Sequence, residues 1–360
     1  EEAVETIRDL SAKKHDQQLL IAAGCMAERF ADEIIAACPK VDGLLGTRSI
    51  TKIRETINKN KKKRGIPISS KEFQKNFDIP QAAQEGASAY VKIGDGCSRR
   101  CAFCSIPLIK GEWQSRPVQD ILQDVKSLDQ AGLQELILIA QDTTAYGIDR
   151  GEKDALPGLL EKVLITAPNI PWIRILYAFP GFVSDRLIDL LGGQNAILPY
   201  LDIPLQHASP AVLRRMRRPD DMGWVRETIA KMREKAPGIA IRSTFITGFP
   251  GETEEDFSML YRFIEEMRFD RVGVFPYYSE SGTPSAELID DVPEEVKQDR
   301  LEQIMVLQQG ISHEINTTFI GSQLNILIEG EQEGLMVGRS YRDAPEIDGL
   351  VFLHGSAEIA

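Results

Sequence analysis

The chain has 360 residues, 42% hydrophobic and 27% charged, which is room for two or three domains and too apolar for global disorder. A formal net charge of −12 argues against a protein whose main work is neutralising nucleic-acid phosphates, while allowing a local basic patch or a basic protein partner. Five cysteines are too sparse and too odd for a secreted disulfide scaffold, and no run of about 18 apolar residues is present to span a membrane, so a cytoplasmic location is expected.

In chain order, residues 1–60 read as a partial α/β domain of helix, strand and helix. The opening "EEAVETIRDL" is acidic and helix-like rather than a leader, and without an initial Met the chain is expected to be a processed form or a fragment. "QQLLIAAGC" is a buried-strand run into a glycine, and "AERFADEIIAAC" has helical periodicity. Residues 61–87 form a polar linker. A basic run from Lys59 to Arg64 leads into it, readable as a solvated stretch or as an electrostatic contact to RNA or a ribosome. From 88 to 291 strand-like runs ("AYVKIG", "ELILIA", "WIRILYAF", "YLDIPLQ", "AIRSTFITG", "RVGVFPYY") alternate with helical ones. That rhythm predicts βαβ units on a parallel sheet, and right-handed crossovers curl six of them into a partial (β/α)6 barrel; a full eight-unit barrel typically needs ~250 residues. In such α/β folds the chemistry sits at the C-terminal strand ends, where Asp95–Cys104 follows the first strand and Gln141, Gln206 and Gly248 follow later ones. Residues 292–317 form an amphipathic connecting helix. Residues 318–360 alternate apolar and polar as a small antiparallel β-module, expected to be cut short.

Three of the five cysteines fall in "CSRRCAFC", at Cys97, Cys101 and Cys104. A [4Fe–4S] cluster usually takes four thiolates; three would leave one iron open to a substrate or cofactor, as a catalytic zinc keeps a site for water. A structural zinc must borrow a fourth ligand, such as Cys38 or His207, and the cysteines could also simply be unliganded. In "RSTFITGFPGETEEDF" a strand meets a glycine turn and a helix. Gly248 and Gly251 permit positive φ, Thr253 suits an N-cap, and the acids after it suit the helix dipole. By itself that turn is a weak signal, since many strand–helix turns look like it, and the bland alternative for Phe103 is simple core packing.

With its spacing C-x3-C-x-aromatic-C, carried by Cys97, Cys101, Phe103 and Cys104, the chain resembles the radical S-adenosylmethionine (radical SAM) superfamily. The resemblance implies a cluster whose open iron is chelated by SAM, and one-electron cleavage of SAM to methionine and a 5′-deoxyadenosyl radical. It places Phe103 near the adenine, Gly248 and Gly251 in the adenine-side glycine motif, and Gln141 where the methionine amino group is bound. This chain has Gln141 and Asp142 there in place of the commoner Gly-Gly-Glu. Gln206 and His207 end the fourth strand; Gln206 is expected among the SAM-binding residues, and His207 reads as a polar core residue or as one facing substrate or SAM.

The order of parts, with "IAAGCMAER" before the barrel and a β-module after it, looks like a methylthiotransferase with a terminal TRAM domain. That family's first domain supplies three cysteines to a second [4Fe–4S] cluster. Cys25 matches the last of them, and the other two are expected upstream of Glu1, so this chain is expected to assemble the barrel cluster alone. Cys38 reads as a buried helix residue. Of the two main branches, one methylthiolates isopentenyladenosine in tRNA; the RimO type modifies the β-carbon of an aspartate in ribosomal protein twelve of the small subunit. "YLDIPLQHAS", "VLRRMRRP", "RILYAFPG" and "GRSYRDAPEIDG" look like the RimO type. Charge agrees, since residues 318–360 carry seven acids (Glu329, Glu331, Glu333, Asp343, Glu346, Asp348, Glu358) and two bases (Arg339, Arg342), a poor phosphate binder and a reasonable dock for a basic protein. The resemblance implies an external electron donor and a sulfur source as further partners. A non-enzymatic RNA- or ribosome-binding protein with a structural metal knot is the remaining alternative.

Overall fold

A computed structural model describes residues 2–62, 82–193 and 196–355. Helix α1 (Glu2–Lys13), strand β1 (Ile21–Ala23), helices α2 (Cys25–Arg29) and α3 (Ala31–Ala37), strand β2 (Gly43–Leu45) and helix α4 (Ile53–Lys62) come first. Strands β3 (Ala82–Glu85), β4 (Ser88–Lys92) and β5 (Gly94–Asp95), helix α5 (Ile106–Lys110), strand β6 (Gln114–Ser115) and helix α6 (Val118–Gln130) follow. Then strands and helices alternate: β7 (Glu135–Ile139), α7 (Ala155–Thr166), β8 (Trp172–Ile175), α8 (Asp185–Gly193), β9 (Tyr200–Asp202), α9 (Pro210–Arg215), α10 (Met222–Lys235), β10 (Ala240–Thr247), α11 (Glu254–Met267) and β11 (Arg271–Pro276). Helix α12 (Glu294–Thr317) and strands β12 (Ile326–Gln332), β13 (Leu335–Ser340) and β14 (Val351–Leu353) close the chain.

The described residues form two compact units. The first takes its share of Glu1–Gln81 together with Asp95–Ser98 and Ser105–Glu112. In it β1 and β2 pair in parallel, Ile21 against Gly43, over a small core of Ala22, Ala27, Ile34 and Leu44. The single helix expected across "AERFADEIIAAC" is two helices, because Phe30 leaves the helical region at φ −120 and caps both. Helix α2 packs on α5, the helix that follows the cysteine loop.

The second unit takes Ala82–Gly94, Arg99–Cys104 and the described part of Trp113–Ala360. Its sheet runs β3-β4-β7-β8 and then β9-β10-β11, joined by the Ile173–Ile197 bridge and by Ala178 N–H to Asp202 C=O at 2.8 Å. All six expected barrel strands are present, and those whose pairing is resolved run parallel. The middle of the sheet is covered on both faces, so the first four residues of β7 and all of β8 are buried, as continuous apolar strand runs require. The helices bury a stripe at i, i+3, i+4 and i+7: Leu156, Leu159, Leu160 and Val163 in α7. Helix α11 starts on a capping box, Thr253 accepting from Asp256 N–H and Asp256 from Thr253 N–H.

One expected boundary changes. The linker expected over 61–87 ends early, because β3 turns through Gly86, at φ 56, and pairs antiparallel with β4. The chain there is an edge hairpin, not a solvated tether. Helix α4 runs to Lys62; residues 63–81, with the end of the basic run, lie outside the described residues.

The β-module is a three-stranded antiparallel sheet, β12-β13-β14, in the same compact unit as the barrel. It grips the starts of the barrel strands. Fully buried Arg339 reaches Glu135, the first residue of β7, at 2.6 Å, and Arg174 of β8 closes on the same carboxylate at 2.7 Å. Arg342 pairs with Asp270 just before β11, Asp343 with Arg271, and Asp348 accepts from Tyr200 Oη. The cysteine loop leaves β4 at the other end of the strands.

Candidate active site

Strand β4 delivers the chain to the cysteine loop through Gly96, at φ 77, where a Cβ would stand 2.2 Å from the Glu112 carbonyl oxygen. Only glycine fits that approach. Cys97 N–H donates to Gly111 C=O at 3.0 Å. In the second unit Ala102 is pinned on both sides, its N–H to Met216 C=O at 2.8 Å and its C=O from Ser285 N–H at 2.9 Å. Cys104 N–H closes a tight turn on Cys101 C=O. None of the five cysteines is in a disulfide; Cys101 is buried, Cys97 and Cys104 are half-buried, and Cys25 is exposed at the start of α2. The unit boundary runs through the loop, Cys97 belonging to the first and Cys101 and Cys104 to the second.

Beside Cys101 lies a feature that the sequence reading did not weigh. Arg218, at the end of the quoted "VLRRMRRP", is 9% exposed and directs Nη1 at the Cys101 sulfur, 3.7 Å away. Its guanidinium stacks 4.1 Å from the Phe179 ring centre and its Nη2 donates to Pro204 C=O. Arg99, inside the cysteine loop, stacks on Phe179 and Phe182 and pairs with buried Asp142 at 2.8 Å. The available signal was the density of arginines next to a motif strand. Nothing in spacing alone says which of the four turns inward.

The other predicted residues sit at the strand ends as expected. Phe103 packs in a cluster with Ala102, Met216, Phe249 and Tyr277, which brings the cysteine loop against the Gly248 turn. Gln141 follows β7, and its Oε1 is buried without a hydrogen-bond partner. Gln206 follows β9 in the left-handed region at φ 77, which costs a non-glycine residue ~1–2 kcal/mol and is held by bonds to both sides, Gln206 N–H to Thr244 C=O and Ile246 N–H to Gln206 C=O. His207 is fully buried; its Nδ1 accepts from Ser209 N–H and its Nε2 stands 3.5 Å from Glu252. Glu252 is the hub of the glycine turn. It accepts from Gly248 N–H at 2.8 Å and Phe249 N–H at 3.2 Å, and pairs with Arg300 of α12 at 2.8 Å. Gly251 N–H donates to Asp291.

At Gly248 the close neighbour is Lys297 of α12. With φ at 70, a Cβ there would lie 2.1 Å from Lys297 Cγ and 3.0 Å from its Cβ, too near the main chain for the side chain to swing away. Gly248→Ala is therefore expected to destabilise the fold by about 2–4 kcal/mol, from left-handed strain plus overpacking. Urea unfolding checks this, and adding Lys297→Ala should recover the packing part only. A variant as stable as wild type would contradict it.

The donor set fits a thiolate-held cluster with a polar ligand over the strand ends. None of the three loop cysteines is in a disulfide, a guanidinium faces the Cys101 sulfur, and Gln141 Oε1 is buried unpaired beyond a neighbouring strand. Among the described residues no three His, Cys, Asp or Glu side chains are grouped to hold a single metal ion. Of the residues a zinc could borrow, His207 already accepts at Nδ1 from Ser209 N–H, and Cys38 is buried at the end of α3.

Comparison with known proteins bears on this arrangement. The Radical SAM superfamily profile matches residues 91–264, and the TRAM domain profile matches 320–360. A ribosomal protein uS12 methylthiotransferase RimO of Roseiflexus sp. (strain RS-1) is 43% identical across 99% of this chain and 81% of its own length. The protein of the same name from Geotalea uraniireducens is 42% identical across 100% and 82%. Among solved structures, the radical S-adenosylmethionine methyltransferase TsrM from Kitasatospora setae superposes with a TM-score of 0.61 at 13% identity, covering 78% of this chain and 59% of that one, a likeness of fold alone.

Proposed function

This chain belongs to the RimO family of ribosomal protein uS12 methylthiotransferases, and from that premise we propose how its residues carry the reaction. It is a radical SAM enzyme that inserts sulfur and a methyl group into uS12; the target we assign is the β-carbon of an aspartate. When bound, the [4Fe–4S] cluster and SAM supply one-electron bond cleavage and hydrogen abstraction from a carbon too weakly acidic for any general base. Cys97, Cys101 and Cys104 hold the cluster. Phe103, Gln141, Gln206 and the Gly248–Gly251 turn bound the SAM site, and the buried strand ends keep water out. Cys25 is one ligand of a second cluster that presents the inserted sulfur; its helix packs on α5, directly after the cysteine loop. Cluster domain (1–60), barrel (88–291), connecting helix (292–317) and TRAM-like module (318–360) divide the work. A low-potential one-electron donor and a sulfide source complete the system in the cytoplasm; among the described residues no helix is long and apolar enough to cross a membrane.

The observation that carries uS12 over tRNA is the fate of the module's cations. Arg339 and Arg342 are both buried in ion pairs with barrel carboxylates, so neither is available to a phosphate, while Glu331, Glu333 and Glu346 stay exposed. An acidic face without free arginine suits a basic protein and repels RNA. Mass spectrometry of uS12 and of tRNA after turnover with both present tests it. Methylthio-aspartate in uS12 is expected; methylthiolated adenosine in tRNA would overturn the assignment.

A further inference from the structure

Arg218 is a buried cation in want of a counter-ion. It is 9% exposed, and among the described residues no Asp or Glu pairs with it. Its neighbours differ: Arg214 pairs with Asp220, Arg215 stands 3.8 Å from Asp256, and Arg99, on the same Phe179 ring, is neutralised by Asp142. A buried charge is costly unless an opposite charge meets it. The anionic candidate within reach is the sulfur of Cys101, to which Nη1 points at 3.7 Å. Position is fixed as well as charge. Phe179 supports the guanidinium face, Pro204 C=O holds Nη2, and Met216, two residues before Arg218, anchors Ala102 of the loop. One short segment thus both pins the cysteine loop and delivers a cation to its middle sulfur.

We propose that Arg218 sets the reduction potential of the barrel cluster by donating a charge-assisted hydrogen bond to the Cys101 thiolate, an inference that rests on Cys101 being a cluster ligand. The physical reason is the sign of the added charge. One electron from a low-potential donor takes [4Fe–4S]2+ to [4Fe–4S]1+, making the site more negative. A guanidinium on a ligand sulfur stabilises the reduced state more than the oxidised one, and hydrogen bonds to sulfur and net charge are the levers that tune such potentials. Arg218 therefore makes the cluster easier to reduce.

The test is an EPR-monitored redox titration of the anaerobically reconstituted full chain, with iron content measured beside it. Arg218→Gln is expected to keep about four irons and lose about tenfold in its reduction equilibrium, the weight of a charged hydrogen bond; that is about 59 mV more negative for one electron. Arg218→Lys, which keeps the charge, should recover most of the shift. Arg214→Gln, which removes an equal formal charge from the exposed face of the same segment, should titrate as wild type. A wild-type potential in Arg218→Gln overturns the proposal. Loss of iron in both Arg218→Gln and Arg218→Lys overturns it in favour of a purely structural residue. Failure of the underlying assignment looks different: Cys101→Ala would then retain its irons and its native potential, whereas a cluster-free Cys101→Ala beside an unshifted Arg218→Gln sinks the tuning role alone.

Discussion

Cys101→Ala is expected to abolish reductive SAM cleavage and methylthio product together. Cys101 is the buried member of the three loop thiols, and it is fixed on every side. Ala102 is bonded to Met216 and Ser285, Cys104 N–H closes onto the Cys101 carbonyl, and Arg218 faces its sulfur. A replacement ligand has no path to that position without unpinning the loop, so the loss should be complete rather than graded. Anaerobic assay of 5′-deoxyadenosine and product, with iron analysis, reads it directly. Cys38→Ala is the control, since Cys38 is buried at the end of α3 and plays no part in the loop; its cleavage should persist. Retained cleavage in Cys101→Ala would mean the cluster assignment is wrong.

Arg339→Met should produce a large loss of stability. Glu135 is fully buried between Arg174 and Arg339, and Arg339 joins the β-module to the barrel floor. Removing one partner of a buried ion pair typically costs about 3–5 kcal/mol. The lower end is expected here because Glu135 keeps Arg174. The loss carries a pH signature. Burial alone would raise the Glu135 pKa, but Arg174 and Arg339 outweigh it and hold the carboxyl below its ordinary value. A depressed folded pKa contributes stability that is present above the unfolded value, about 4.3, and is lost as pH falls through the folded one. The gap between wild type and Arg339→Met should therefore be widest near neutrality and shrink in acid below about pH 4. Urea midpoints across that range check it, and a gap independent of pH would show that Arg339 acts through packing alone.

The barrel was legible because its signals are local and repeated. Strand runs such as "ELILIA" and helical stripes such as Leu156, Leu159, Leu160 and Val163 each point to one face of one element, and the cysteine spacing fixes a loop at a strand end. Short elements escaped: α5 and α9 are five and six residues long and lack a full periodic stripe. The linker hairpin escaped because β3, "AAQE", is a mostly exposed edge strand with no apolar alternation. Contacts between residues distant in sequence were the hardest to see. Arg339 with Glu135, Lys297 under Gly248 and Arg218 beside Cys101 each join distant segments, and composition gives only the charge, not the partner. The module's two arginines counted as surface charge in the sequence; both are buried.

The proposed reaction rests on three loop thiolates holding a cubane and leaving one iron for SAM. The most direct measurement is metal content with EPR on the anaerobically reconstituted chain, before and after SAM is added. A brown protein with about four irons bound through the loop cysteines, and a cluster spectrum that changes on SAM binding, is expected. A colourless protein holding one zinc, or a cluster spectrum indifferent to SAM, would contradict it.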